Sequence, residues 1–201
     1  MKKADARERF FEREMQIRTA GRDAASEDAH RLPYEPTPYA VLEKLADSGW
    51  IGPDNLLVDM GCGKGRVSLF LSRVTGCRSI GVDFNPDMIA AAEENLASVK
   101  GNVRASFAVR CAERYEPPAD ADRFYFFNPF SAEILRSALS RITGSWYDAP
   151  RRILLFFYYP SDEYIDLLNG SGALIPAGAI DCSDLFPGDR RETILCFELP
   201  G

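Results

Sequence analysis

The sequence predicts a doubly wound α/β fold, in which helices cover both faces of a mostly parallel sheet. Two observations predict it. Short, nearly continuous apolar segments alternate with amphipathic segments of helical length along the chain, which is typical of parallel strands that are buried on both faces. The first apolar segment also runs directly into a loop rich in glycine. Because such sheets bind ligands at the carboxyl ends of their strands, we expect the functional site beside this loop.

The chain of 201 residues is long enough for one domain with a sizeable core. We divide it into an N-terminal helical extension, residues 1–33, and a domain, residues 34–201. The extension is strongly charged, and helical spacing aligns four apolar side chains in a narrow stripe: Phe10, Phe11, Met15 and Ile17. The stripe favours a helix packed on the domain; the alternative is a lid over an active site.

The domain begins with a helix whose start is marked by Thr37 and Pro38. We expect the Thr37 hydroxyl to be the N-cap and Pro38 to take the first helical position. The predicted buried face consists of Val41, Leu42 and Leu45, and Gly49 ends the helix.

Strands and helices then alternate along the chain. The predicted strands are residues 55–60, 78–84, 103–109, 123–128 and 152–159, followed by a hairpin of residues 173–182 and 192–199. The predicted helices are residues 66–74, 85–99, 131–142 and 161–169. Asn85 and Ser131 are the expected N-caps of two of these helices. The final hairpin is expected to add an antiparallel strand to the parallel sheet.

Composition limits the class of partner. A formal net charge of −6 argues against a surface that holds nucleic acid through many phosphates, and favours a small-molecule or protein partner. With one histidine, His30, and five cysteines that lack metal-binding spacing, we expect no metal site. No apolar segment is long enough to span a bilayer or to act as a signal sequence, so we expect a cytoplasmic protein without a membrane partner.

The glycine-rich loop lies in the segment "VDMGCGKGR", with glycines at Gly61, Gly63 and Gly65. A dinucleotide-binding loop of the form G-x-G-x-x-G would require a third glycine where this chain has Arg66. A carboxylate, Asp59, also stands at the end of the preceding strand. A carboxylate at this place suits a ligand with an ammonium or sulfonium group better than a pyrophosphate.

The segment resembles motif I, D/E-x-G-x-G-x-G, of the class I S-adenosylmethionine-dependent methyltransferases. The resemblance implies a Rossmann-like fold with seven strands and S-adenosylmethionine as the cofactor, with S-adenosylhomocysteine as the product. It also implies that Asp59 orients the methionine amino group of the cofactor. The backbone of Gly61, Cys62 and Gly63 would lie beside the amino-acid portion, and Gly65 completes the loop.

A second signature of the family follows in "GVDFNP", which places Asp83 at the end of the second strand. One carboxylate can accept hydrogen bonds from two adjacent ribose hydroxyls, and the resemblance assigns this role to Asp83 and adenine packing to Phe84. After the third strand the family often has an acid or an amide that bonds the adenine amine. Here Cys111 or Ala112 occupies that place, and Glu113 is the nearest acid.

The Thr-Pro pair has a second interpretation. In "YEPTPY" it is similar to the element that closes over the methionine end of the cofactor in amino-group methyltransferases. This resemblance would add Thr37 to the cofactor site, with Tyr34 and Tyr39 as wall residues. The alternative is a capped helix without a role in binding.

The aromatic segment "FYFFNPF" ends on Asn128 and Pro129. It resembles the (D/N/S)-P-P-(Y/F/W) motif of methyltransferases that act on planar amines, with one proline missing. The resemblance implies that the Asn128 side chain and the Pro129 carbonyl accept hydrogen bonds from the acceptor amine, whereas Phe130 comes one place too early to stack on the substrate. The alternative is that Asn128 starts the next helix as Asn85 does, although Ser131 is the better cap.

The sequence therefore predicts an S-adenosylmethionine-dependent methyltransferase that acts on a nitrogen of a small-molecule or protein substrate. Two alternatives remain open: an RNA or DNA amino-methyltransferase, and a non-catalytic protein that binds S-adenosylmethionine. The two cations of the glycine loop, Lys64 and Arg66, are expected to be solvated; the alternative is that either meets an anionic group, because the helix dipole disfavours a cation at a helix start. Either Tyr158 or Tyr159, at the end of the fifth strand, is expected to border the substrate.

Overall fold

The structure, a computed structural model, describes residues 2–21, 34–189 and 191–201, with side chains from Ala6 onward. Residues 22–33 of the predicted extension, with His30, lie outside the described residues. No helix within the described residues combines the length and the apolar character that crossing a membrane requires.

The described residues form one seven-stranded sheet in the order β3-β2-β1-β4-β5-β7-β6. Its strands are β1 Leu56–Met60, β2 Arg78–Asp83, β3 Arg104–Val109, β4 Arg123–Phe126, β5 Ile153–Tyr158, β6 Ile175–Asp181 and β7 Thr193–Leu199. The first five run parallel, while β7 pairs antiparallel with both β5 and β6. The predicted doubly wound, mostly parallel sheet with a final hairpin is confirmed.

Helices cover both faces of this sheet. They are α1 Lys2–Met15, α2 Tyr39–Asp47, α3 Arg66–Thr75, α4 Pro86–Ser98, α5 Ala132–Asp148 and α6 Asp162–Asn169, with a 3₁₀ turn at Ala112–Arg114. Helices α1 to α4 contribute to the hydrophobic cluster on one face, and α5 and α6 to the cluster on the other. Two predicted caps are confirmed, because Asn85 accepts from Asp87 N and Ser131 accepts from Ile134 N.

The aromatic segment owes its composition to burial on both faces of β4. Phe124 and Phe126 pack into the cluster under α5 and α6, while Tyr125 packs into the cluster on the opposite face. All three are at most 1% exposed. The ring of Phe126 stacks on that of Phe157 in the neighbouring strand, with 4.7 Å between centroids. The strand therefore ends at the site as a rigid, fully packed element.

The predicted N-cap of α2, Thr37, is wrong. Helix α2 begins at Tyr39 with Pro38 in the N-cap position, and no side chain of that position caps it. The Thr37 hydroxyl is buried and hydrogen bonds to the Tyr125 hydroxyl at 3.0 Å. The backbone N–H of Tyr39, at the start of α2, donates to the Glu8 carboxylate at 2.9 Å. Thr37 therefore joins the entry of α2 to strand β4 rather than capping the helix.

Helix α1 packs on the domain, as the apolar stripe predicted. Met15 and Ile17 are 0% and 2% exposed, and the Phe11 ring lies 4.9 Å from that of Tyr39. Phe10 is the exception, because 57% of it is exposed. The N-terminal helix is therefore part of the hydrophobic core on one face of the sheet.

Candidate active site

A pocket opens at the carboxyl ends of the central strands, where β1 lies between β2 and β4. This is the place where chain connections leave a sheet in opposite directions and ligands bind. The structure brings most of the predicted site residues together in its lining: Thr37, Asp59, Gly61, Cys62, Asp83, Phe84, Ala112, Asn128 and Pro129. Gly63, Gly65 and Cys111 do not line it. Sequence reasoning missed Glu35, Met88 and Arg110, which lack a motif but also line the pocket.

The glycine loop turns sharply at the end of β1. Gly61, Gly63 and Gly65 have φ values of 81°, 51° and 84°, a left-handed conformation that other residues rarely adopt. The N–H groups of Gly61 and Cys62 both donate to the Val82 carbonyl, at 2.8 and 3.0 Å. The loop is thereby tied to the end of β2.

The same glycines also make room for rings of the protein itself. The nearest atoms to the three missing Cβ positions belong to Pro129 at Gly61, Tyr34 at Gly63 and Phe107 at Gly65, at 2.3, 2.2 and 2.6 Å. Any side chain at these positions would collide with a ring. The glycines therefore let the aromatic segment, the entry to α2 and strand β3 converge on one loop.

Asp59 is a buried carboxylate at the floor of the pocket. It is 2% exposed, and the Ser68 hydroxyl donates to its Oδ2 at 3.2 Å. Burial raises the pKa of Asp59 to about 7; the Ser68 hydrogen bond lowers that pKa and the Asp83 charge raises it. In the part of the chain that the structure describes, no Lys or Arg side chain forms an ion pair with it. A cationic ligand group would stabilise this carboxylate in its charged form.

Asp83 joins the glycine loop to the end of β2. Its Oδ2 accepts from Gly63 N at 3.0 Å, and its Oδ1 accepts from Asn85 N at 2.9 Å. Asp83 therefore ties the glycine loop to the start of α4. The next residue, Phe84, lines the pocket, and Ala112 lines it in the 3₁₀ turn after β3.

Asn128 stands at the end of β4 with its side chain fixed by the neighbouring loop. Its Nδ2 donates to the Tyr159 carbonyl at 2.5 Å, and its Oδ1 accepts from Ser161 N at 3.2 Å. Both Asn128 and Tyr159 have positive φ, 40° and 48°, which is uncommon for residues other than glycine and clusters at functional sites. The amide is therefore oriented, and its oxygen keeps one lone pair.

The ends of β5 and β7 form a polar rim behind Asn128. The Tyr158 hydroxyl donates to Glu192, and the Tyr159 hydroxyl donates to Asp189 at 2.7 Å. Burial raises the pKa of Glu192, and the charges of Asp189 and Glu35 add to this rise. Neither tyrosine is among the residues that line the pocket. The expectation that one of them borders the substrate finds no support in this geometry.

Arg66 is buried, so the expectation that it is solvated is wrong. It is 3% exposed and lines the pocket from the first residue of α3. Its guanidinium forms ion pairs with Glu8 and Glu12 of α1. These acids offset the cost of burying its charge.

No group of three or more histidine, cysteine, aspartate or glutamate side chains suited to a metal ion occurs within residues 2–21, 34–189 and 191–201. All five cysteines are free thiols.

Comparison with known proteins agrees with this fold. Residues 57–145 match a family model described as a methyltransferase domain. A protein-lysine N-methyltransferase of Saccharolobus islandicus (strain REY15A) is 29% identical over 72 residues, which are 35% of this chain and 43% of that protein. The chain thus spans less than half the length of this curated relative.

Solved structures with the same fold include an RNA methyltransferase from Salinibacter ruber in complex with S-adenosylhomocysteine. Its TM-score is 0.56 at 16% identity, over 83% of this chain and 94% of that one. Magnesium protoporphyrin IX methyltransferase from Synechocystis PCC 6803, with bound S-adenosylmethionine, has a TM-score of 0.51 at 21% identity. The match covers 80% of this chain and 75% of that one.

The fold and the matched family model support a class I S-adenosylmethionine-dependent methyltransferase. The matched domain is that of an enzyme, and the cofactor of this class is S-adenosylmethionine. The two structural neighbours act on chemically different acceptors, so the fold by itself does not identify the acceptor.

Proposed function

We propose that this protein transfers a methyl group from S-adenosylmethionine to a nitrogen atom of a small-molecule or protein substrate, with S-adenosylhomocysteine as the product. The observation that carries the cofactor half of this proposal is Asp59. A buried carboxylate with a pKa raised to about 7 and no cationic partner among the described residues is costly unless a cation joins it. The ammonium group of the cofactor is such a cation.

The residues around Asp59 fit the rest of the same cofactor. Asp59 accepts hydrogen bonds from the ammonium group, and the Asp83 carboxylate at the end of β2 accepts from the ribose hydroxyls. Gly61 and Cys62 line the pocket in the turn after β1, and their backbone lies beside the amino-acid portion of the cofactor. Phe84 supplies an apolar ring for the adenine. Thr37, which lines the same pocket, closes the methionine end.

On the acceptor side, Asn128 and Pro129 align the nucleophile. The bound cofactor supplies a methyl group on a sulfonium centre, and transfer requires the nucleophile to lie in line with that bond and water to be excluded. The Asn128 amide oxygen and the Pro129 carbonyl accept hydrogen bonds from the acceptor amine and keep its lone pair directed at the methyl group. The fixed orientation of the Asn128 amide supports this role. Similarity to a protein-lysine methyltransferase supports a nitrogen acceptor within a protein.

The cofactor is tested first by thermal melting with S-adenosylhomocysteine, S-adenosylmethionine, NAD or no ligand. At about a hundred times its dissociation constant, a ligand stabilises a fold by roughly 2.7 kcal/mol, which corresponds to a rise in Tm of about 5 to 10 °C for a chain of this size. We expect this rise with the two adenosyl compounds alone. A rise with NAD alone would contradict the assignment of the glycine loop.

The nitrogen acceptor is tested with S-adenosylmethionine that carries a tritiated methyl group. The enzyme and this cofactor are incubated in separate reactions with protein, with RNA and with small amines. We expect label in the protein or small-amine fraction, and we expect it to survive mild alkali because N-methyl groups are stable where methyl esters hydrolyse. Label confined to RNA would overturn the proposed acceptor class, and alkali-labile label would overturn nitrogen as the acceptor atom.

A further inference from the structure

Arg66 bonds three separate segments with one side chain. Its Nε donates to Thr19 Oγ1 at 2.7 Å, and its Nη1 donates to the Thr37 carbonyl at 3.0 Å and to Glu8. Its Nη2 donates to Glu12 at 3.3 Å. These partners lie in α1, in the residues that follow α1, and at the entry to α2, whereas Arg66 itself is the first residue of α3.

The acids and Thr19 are bonded to one another as well. Glu12 accepts from the backbone N–H of Thr19 at 3.0 Å and from its hydroxyl, and Glu8 accepts from Tyr39 N at 2.9 Å. Thr19 is fully buried. The guanidinium of Arg66 also stacks over the Tyr39 ring at 4.3 Å. We call the set Glu8, Glu12, Thr19 and Arg66 the arginine clasp.

The clasp reaches the pocket through residues 34–37. The Tyr34 hydroxyl donates to the Thr19 carbonyl at 2.6 Å, and the Tyr34 ring lies against Gly63 where a Cβ would be 2.2 Å away. All four residues of this strap line the pocket, together with Asp59 and Gly61. The Thr37 hydroxyl bonds Tyr125, which is paired with Asp59 between β4 and β1, so the strap reaches the pocket beside Asp59.

We propose that Arg66 is a positioning residue of the cofactor site, because the arginine clasp holds the strap as the wall of the methionine end of the pocket. This inference rests on the proposed function. It assigns helix α1 to the cofactor site, although none of the α1 side chains that the structure describes, from Ala6 to Met15, lines the pocket. It also predicts that the two ends of the cofactor respond differently, because the strap bonds Tyr125 in β4, whereas Phe84 and Ala112 follow β2 and β3 on the other side of β1.

The geometry of the guanidinium explains why an arginine is needed. Its planar fork points donors at Glu8, Glu12 and the Thr37 carbonyl at the same time, whereas a lysine ammonium is a single point of charge that cannot occupy all these places. Arg66→Lys therefore keeps the positive charge and releases the strap. Tyr34→Phe is a milder change, since it keeps the ring against Gly63 and removes one hydrogen bond to the clasp.

The test compares dissociation constants for S-adenosylhomocysteine and for 5′-methylthioadenosine, which keeps the adenosine end and lacks the amino-acid portion. We expect Arg66→Lys to raise the dissociation constant of S-adenosylhomocysteine at least tenfold, while that of 5′-methylthioadenosine stays within twofold of the wild-type value. We expect Tyr34→Phe to show the same split at several-fold. Arg7→Lys is the matched control, because Arg7 pairs with Glu43 at 2.7 Å between α1 and α2, is half exposed and lies outside the clasp; both affinities should stay unchanged.

Two results would overturn the inference: a folded Arg66→Lys protein that binds S-adenosylhomocysteine within twofold of the wild type, or an equal loss for both ligands, which indicates general destabilisation. If Arg66→Lys does not fold, Tyr34→Phe decides by the same criteria. A wild-type protein that binds neither compound would overturn the proposed function, and this inference with it. Wild-type binding of both compounds with unchanged variants would overturn only the role of the clasp.

Discussion

Replacing Asp59 with asparagine should abolish measurable binding of S-adenosylhomocysteine and at the same time raise the melting temperature of the ligand-free protein at pH 8. The loss of binding follows because the amide carries no charge to pair with the ammonium group. The gain in stability follows because burial holds the pKa of Asp59 at about 7, against an ordinary value of 3.8. Above pH 7 the folded protein must keep an unpaired buried charge that the unfolded chain exposes to water.

The sign of the pH dependence follows from this raised pKa. Between about pH 4 and 7 the folded state holds a proton that the unfolded state has released, so the contribution of Asp59 to stability falls as pH rises and is lowest above pH 7. One pKa unit corresponds to about 1.4 kcal/mol, so we expect Asp59→Asn to gain about 2–4 kcal/mol at pH 8. The difference in stability between the two proteins should shrink steadily as pH falls from 7 and become small only near pH 4.

The measurement is a series of thermal melts of both proteins from pH 4.5 to 8.5, with calorimetric titration of S-adenosylhomocysteine at each pH where both are folded. Asp120→Asn is the matched control, because that carboxylate is exposed and a hydrogen bond from Arg78 holds its pKa below the usual value. The control should bind normally and gain no stability. An Asp59→Asn protein that melts below the wild type at pH 8, or binds with wild-type affinity, would contradict the assignment.

Replacing Asn128 with alanine should lower kcat by about a hundredfold or more while the dissociation constant of S-adenosylhomocysteine stays within about twofold. The expected size is that of losing the alignment of a nucleophile. Alanine removes the acceptor oxygen proposed for the amine, and it also removes the bonds to the Tyr159 carbonyl and Ser161 N that hold the neighbouring loop. The cofactor contacts at Asp59 and Asp83 are left in place.

The structural part of this effect can be separated from the catalytic part. Alanine must adopt a φ of 40° at this position, which costs about 1–2 kcal/mol, so Tm should fall. Asn128→Gly relieves that strain and still lacks the amide, and it should show the same loss of kcat with a smaller loss of Tm. Asn85→Ala is the control from the other Asn-Pro pair, because it removes a helix cap and should leave kcat unchanged. Intact turnover in Asn128→Ala would make Asn128 structural.

The sequence by itself was sufficient to predict the fold and the residues at the ends of the central strands. Parallel strands buried on both faces must be apolar throughout, and β1 and β5 are buried at every position. Helix caps such as Asn85 act within a few residues of their own position, so they could also be predicted. Asp59 and Asp83 could be placed beside the glycine loop because a parallel topology brings strand ends together.

Only the tertiary structure decided what the polar groups around that loop are bonded to. The burial of Arg66 could not be predicted from its place at the start of a helix, because its partner Glu8 lies 58 positions away in the chain. Thr37 was expected to cap α2, and instead it bonds Tyr125, which is 88 positions away. Local sequence patterns report hydrophobic periodicity and capping, whereas the pairing of buried polar groups depends on which distant segments the fold brings into contact.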